Sequence, residues 1–212
     1  MKRKGLEGND LRQVARQKLR GKNGQKLRTV GPFSTSASLS QSEREPRRCR
    51  IRTVNTPLTS ILLADLANAA HQAAIVELLD MYCRDEFGDG QPLSAGARGN
   101  LIPGLIKHGG ARVFLAYEGE RPAGLAICFL GFSTFRARPL INIHDIAVHP
   151  DFRGKGIGQA LLAAVEDHAR QHGCCKVTLE VRSDNHRAMA AYRKAGFEPT
   201  EPETWFWAKK LP

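Results

Sequence analysis

The chain has 212 residues, 42% of them hydrophobic and 25% charged, and carries a net charge of +11. That length allows one full domain plus an extension rather than two complete domains, and that balance excludes global disorder and fibrous repeats. The apolar segment at residues 60–79 is interrupted by Asp65, Asn68, His71 and Glu77, so no stretch approaches the ~20 apolar residues of a membrane span.

The basic charge sits at one end. Residues 1–50 hold 14 Lys/Arg against 4 Asp/Glu, whereas residues 51–212 hold 18 against 17. Aromatics are absent from the first fifty residues except for Phe33, and a serine-rich stretch runs from Ser34 to Ser42. With so little apolar surface to offset ordering entropy, residues 1–50 are expected to be a disordered extension, at most transiently helical over Leu11 to Leu19. Phosphate attraction would suit a nucleic-acid or membrane-surface arm, and the Arg and Ser content a transit peptide. Four acidic residues argue against a transit peptide, and no apolar core supports a secretory signal. A solvated extension, or an initiation point nearer residue 55, is the simpler reading. Neither a specific nucleic acid nor a membrane is expected as a partner.

A folded domain is expected over residues 58–212. Thr59 to Ala67 reads as a first strand and Asn68 to Cys83 as an amphipathic helix. After Asp89, Gly90 and Pro92 a second helix runs from Ala95 to Lys107, disturbed at Pro103 and ended by Gly109 and Gly110. Arg112 to Tyr117 and Ala123 to Phe132, joined around Gly119, read as a β-hairpin of buried strands. In the next strand, Leu140 to Val148, apolar residues occupy odd positions at Ile141 and Ile143, then even positions at Ile146 and Val148. Side chains alternate faces with period two, so the change of phase at His144 and Asp145 marks either one inserted residue, a β-bulge, or a turn beginning at Asp145.

The run Arg153-Gly154-Lys155-Gly156-Ile157-Gly158 then leads into a helix with an apolar face of Ile157, Leu161, Leu162, Val165 and Ala169, closed by Gly173. Lys176 to Val181 reads as a strand. Asp184 or Asn185 caps a short helix through Ala195, with Gly196 placed for a left-handed turn. Thr204 to Lys209, with Trp205 and Trp207, reads as a last strand. The fold class is α/β, a mixed sheet with helices on its faces.

A strand, a glycine-rich turn and a helix N-terminus form an anion site, because unpaired amides and the positive end of the helix dipole converge there. The Walker phosphate loop needs Ser or Thr after its Gly-Lys, but Gly156 follows Lys155. The dinucleotide loop needs glycine at position 159, where Gln159 stands, and a long βαβ half afterwards, where only 54 residues remain. Both readings fall.

The spacing of Arg153, Gly156 and Gly158 resembles the pyrophosphate loop of the GNAT acyl-CoA N-acyltransferase superfamily. Asn185, Ala188, Tyr192, Gly196 and Phe197 are similar to a second element of that superfamily, and the element order from about residue 58 resembles its fold. The resemblance implies a central mixed sheet whose bulged strand splays from a parallel neighbour, with acetyl-CoA bound in the notch. It implies that the backbone of Ile146, Ala147 and Val148 pairs with the pantetheine arm, since an unpaired buried polar group costs ~1–3 kcal/mol. It further implies that amides from Gly154 to Gly158 hold the pyrophosphate, with Arg153 and Lys155 adding charge. Asn185 would contact the pantetheine region, and Tyr192 would protonate the departing thiolate. A homodimer is in keeping with the resemblance, while the odd number of cysteines without a CxxC pair suits a reducing cytoplasm.

Asn185 and Tyr192, seven residues apart, share one side of a helix about 10 Å apart at 1.5 Å per residue. Equally, Tyr192 and Phe197 hold the positions of a helix-end hydrophobic contact, so packing is an alternative role. An acceptor amine of pKa ~10.4 is almost wholly protonated at neutral pH, a penalty of ~4.6 kcal/mol. A base is needed, and His144 and Asp145 at the bulge are the candidates, with Glu180 on the neighbouring strand as a fallback. His144 could otherwise be an ordinary strand histidine.

His168 and His172 lie near Cys174 and Cys175 but lack a zinc-protease glutamate, and histidines in a last helical turn suit the dipole. The five cysteines are odd in number and contain no CxxC pair, so neither a disulfide framework nor a zinc ribbon is expected, and no metal. Phe129, Phe132 and Phe135 suit core packing better than an acceptor pocket, and one of Trp205 and Trp207 could shape the acceptor mouth. The expected function is acetyl-CoA-dependent N-acetylation of a small-molecule or peptide amine by direct attack. The diamine and polyamine branch is the nearest likeness, with His144 where its members commonly carry glutamate. A non-catalytic acyl-CoA sensor is the alternative.

Overall fold

The computed structural model describes residues 59–202, 204–209 and 211; the extension expected over residues 1–50 lies outside them. Strands β1 (Thr59–Leu63), β2 (Ala111–Glu118), β3 (Arg121–Ser133), β4 (Arg138–Val148) and β5 (Val177–Leu179) form one sheet in sequence order. The first three pairings are antiparallel and β4 runs parallel to β5. Helices α1 (Ala69–Cys83) and α2 (Ala95–His108) follow β1, α3 (Ile157–Gln171) crosses from β4 to β5, and α4 (His186–Lys194) follows β5.

Local chemistry sets these boundaries. The Asn68 side chain accepts the amides of Ala70 and His71 and so starts α1, and Ser94 accepts the Ala97 amide to start α2. The first strand stops at Leu63 rather than Ala67, because Asp65 turns the chain by accepting the Ala67 amide at 2.9 Å. Pro103 lies inside α2, which nevertheless continues to His108.

Each face of the sheet has its own core. On one, Ile75 and Leu78 of α1 and Leu105 of α2 pack on Val113, Leu115, Leu125 and Ile127. On the other, Ile157, Leu161, Leu162, Val165 and Ala169, the whole stripe expected of α3, pack on Phe114, Ala126, Cys128, Ile141 and Ile143. Burying one such Leu or Ile stabilises the fold by ~1.5–3 kcal/mol, so this stripe fixes how the glycine loop sits on the end of β4. No helix among the described residues is long and apolar enough to cross a membrane.

The terminal strand expected over Thr204 to Lys209 is not formed. These residues join no ladder, and Trp205, Phe206 and Trp207 are exposed. Alternation reports a tendency to extend, whereas a strand also needs a partner edge, and β5 offers a ladder of three residues.

Candidate active site

The bulge in β4 builds the site. Across β3, Ile127 pairs with Asp145 while Cys128 pairs with Ile143, so His144 is the inserted residue. The turn alternative is thereby excluded. On its other edge β4 pairs with β5 through Ile141, Asn142 and Ile143 alone. Beyond the bulge the two strands part, and Ile146, Ala147 and Val148 border a cleft of about 760 Å³. The divergence also explains why β5 ends at Leu179 instead of Val181.

Gly154, Gly156, Ile157 and Gly158 form one wall of the cleft. Gly154 and Gly156 have φ of 79° and 85°, a left-handed conformation that costs a residue with a Cβ roughly 1–2 kcal/mol. Gly156 caps α3 without any side-chain bond, and Ala160 donates to its carbonyl at 3.0 Å. The amides of Ile157, Gly158 and Gln159 therefore lack intrahelical acceptors at the positive end of a 15-residue helix. The Gln159 side chain donates to the Ala191 carbonyl at 2.8 Å and ties α3 to the opposite wall.

That wall is α4, with Asn185, Ala188 and Tyr192 on the cleft. Asn185 Oδ1 caps the helix by accepting the Ala188 amide at 3.0 Å. At the other end Phe197 donates to the Tyr192 carbonyl and Gly196 to that of Arg193, with the Tyr192 and Phe197 rings 6.1 Å apart. Tyr192 thus packs on Phe197 and borders the cleft at once. Burial, then the neighbouring Tyr82, pushes its hydroxyl pKa up to about 12.

Three expected residues do not line the cleft, and a fourth borders it with its side chain otherwise engaged. Lys155 does not line the cleft; its ammonium lies 5.0 Å over the Phe152 ring. Arg153 borders the cleft, but its guanidinium bonds Val148 and Asp85 at 3.1 and 2.9 Å. Nor do His144 and Asp145 line the cleft. His144 is exposed, its ring 5.5 Å from that of Phe129. Asp145 is half-buried, and burial raises its pKa against the opposing influence of His144. Glu180 accepts from Asn142 at 3.1 and 3.2 Å. Phe129 packs against the core, whereas Phe132 and Phe135 are exposed and do not take the core-packing role expected of them. His168 and His172 stack with ring centroids 4.0 Å apart.

Sequence reasoning missed a further wall made by Tyr82, Asp85, Glu86 and Phe87, the end of α1 and the turn after it. The Tyr82 hydroxyl donates to the Phe87 carbonyl at 3.4 Å, and its pKa is raised by burial, then by Asp145 and Asp85.

The pattern of the Acetyltransferase (GNAT) family matches residues 74–197. The chain is 35% identical over 98 residues to an uncharacterized N-acetyltransferase of Methanocaldococcus jannaschii, covering 46% of this chain and 43% of that protein. It is 39% identical over 84 residues to the N-alpha-acetyltransferase RimI of Mycobacterium tuberculosis, covering 39% and 51%. The chain spans about half or less of the length of these curated relatives. Among solved structures, an integron cassette protein from the mobile metagenome of V. cholerae superposes with a TM-score of 0.62 at 23% identity, over 72% of this chain and 93% of that one. At that identity the likeness concerns the fold.

Proposed function

Because the chain belongs to the acetyltransferase (GNAT) family, we propose that it is an N-acetyltransferase that moves the acetyl group of acetyl-CoA onto a primary amine by direct attack, both substrates being bound together. The observation that carries this reading is the unpartnered edge of β4 beside the uncapped N-terminus of α3, both bordering one cleft with Tyr192. An amide-bearing pantetheine arm suits the first, and a diphosphate suits the second. A 760 Å³ cleft is of a size suited to small-molecule substrates.

In this reading Ile146, Ala147 and Val148 hold the arm through backbone groups other than the Val148 carbonyl, which Arg153 already engages, and Gly154, Gly156, Ile157 and Gly158 hold the diphosphate through their amides. Tyr192, its hydroxyl protonated throughout the physiological range, gives a proton to the leaving thiolate. The acceptor's ammonium proton, worth ~4.6 kcal/mol at pH 7, passes by way of water to Asp145, with His144 beside it. Burial supports this role for Asp145, since a carboxylate of raised pKa is a stronger base. The RimI relative's name, an N-alpha-acetyltransferase, points to α-amino groups as one acceptor class.

The test is release of CoA thiol from acetyl-CoA by the purified chain with benzylamine, spermidine, an alanine-initiated tripeptide and a lysine-bearing tripeptide. Turnover with one of them is expected, and it should survive removal of residues 1–50. Binding of acetyl-CoA without thiol release from any amine would instead mark an acyl-CoA sensor.

A further inference from the structure

Arg153 carries a positive charge at the mouth of the glycine loop, yet two of its five N–H donors are engaged away from the loop amides. Nε donates to the carbonyl of Val148, the last residue of β4, at 3.1 Å, and Nη2 donates to Asp85 Oδ2 at 2.9 Å. The pair is largely shielded, with 32% of the Arg153 side chain and 22% of the Asp85 side chain exposed. Burial disfavours the Asp85 carboxylate, but the bonds from Arg153 and from the Phe87 amide outweigh it and hold the carboxyl below its ordinary range.

Asp85 is also the organiser of the turn after α1. Its amide donates to the Tyr82 carbonyl, its Oδ1 accepts the Phe87 amide at 3.2 Å, and its carbonyl accepts the Gly88 amide at 3.0 Å. From the segment between β5 and α4, Arg182 donates to the Glu86 carbonyl at 3.3 Å and lies 5.5 Å over the Phe87 ring. The turn so held supplies the wall that includes Tyr82, a residue close enough to Asp145 to feel its charge.

We propose that Arg153 is a positioning residue that fastens the 85–88 turn to the end of β4, shaping the wall against which the acceptor amine docks and leaving the phosphates to the backbone amides. The planar fork of arginine suits this bridge, because one guanidinium reaches a carbonyl and a carboxylate in fixed directions. The assignment of the acceptor to this wall rests on the proposed function; the fastening of the turn does not.

The test compares the full-length chain with Arg153→Gln, Asp85→Asn and the double variant. Asp85→Asn keeps Oδ1 for the Phe87 amide, so it retains the turn's own bond if Arg153→Gln folds poorly. In the unliganded proteins, the Phe87 and Gly88 amides should exchange hydrogen about tenfold faster in each variant, with no further gain in the double. By calorimetry, the CoA dissociation constant should change less than about threefold, while the KM of whichever panel amine turns over rises about tenfold with acetyl-CoA KM unchanged. A tenfold loss of CoA affinity in Arg153→Gln alone, or unaltered exchange at Phe87, would overturn the proposal. If the unsubstituted chain binds no CoA, the proposed function falls, and the exchange comparison still decides whether Arg153 fastens the turn.

Discussion

Replacing Tyr192 by Phe removes one hydroxyl and leaves the ring. The Phe197 ring, 6.1 Å away, keeps its partner, and the helix-end bond from the Phe197 amide to the residue 192 carbonyl is a backbone interaction. Among the described residues the Tyr192 hydroxyl has no hydrogen-bond partner, so its removal orphans nothing. Thermal stability should therefore stay within about 2 °C. Activity should not. Proton donation by a positioned side chain contributes about 10²–10⁴-fold, so kcat is expected to fall at least a hundredfold, ~2.7 kcal/mol, with little change in acetyl-CoA affinity. Burial holds the hydroxyl pKa up to about 12, so the loss should be the same at every pH from about 7 to 10. Steady-state CoA-release kinetics across that range, paired with calorimetry, read both quantities. Unreduced kcat in the Tyr192→Phe variant would refute the proton-donor role and leave Tyr192 a packing residue.

Gly156→Ala meets no atom within 4 Å but must hold φ at 85°, which should cost ~1–2 kcal/mol. Scanning calorimetry should show Tm lowered by about 2–8 °C, and CoA should bind about tenfold more weakly as the α3 amides shift. Asp145→Asn removes a carboxyl whose pKa burial raises. Such a group favours folding below its unfolded pKa and loses that contribution as pH rises through its folded value, so the variant should be the more stable one at pH 7, with the gain absent near pH 3. The same variant should lose at least about tenfold in kcat/KM at pH 7 if Asp145 is the base. His168, edge-on to Phe114 with a buried Nε2 that has no hydrogen-bond partner among the described residues, has its pKa lowered by burial and then by His172. Its contribution to stability is complete above about pH 6.5 and falls as pH drops through the folded value, so His168→Leu should flatten the decline of Tm between about pH 7 and 5.

The parts of the site that depend on neighbours in sequence were legible before any coordinates. A one-residue change of phase at His144 marked either a bulge or a turn because strand side chains alternate, and the register against β3 decides for the bulge. The glycine-rich turn leading into the N-terminus of α3 was likewise readable from Gly154, Gly156 and Gly158, whereas the left-handed φ of Gly154 and Gly156 was not. Partners distant in the chain were not legible. Arg153 reads as a phosphate ligand by its spacing, but Asp85, 68 residues earlier, takes its guanidinium. Lys155 instead has a near neighbour as partner, its ammonium lying over the ring of Phe152 three residues earlier. The wall from Tyr82 to Phe87 carries no motif and exists because α1 ends against β4. Trp205 and Trp207 show the opposite failure, a clear local alternation with no partner edge to satisfy it.

The account stands on the backbone amides at the start of α3 gripping a diphosphate. Titrating the purified chain with CoA and separately with pantetheine, which lacks the diphosphate and the 3′-phosphoadenosine, while following amide resonances by NMR, tests that contact, the shifts of the loop amides locating it. CoA is expected to bind about a hundredfold more tightly and to move the Gly154, Gly156 and Gly158 amides. Equal affinity for pantetheine, or CoA binding that leaves those three amides unmoved, would contradict it.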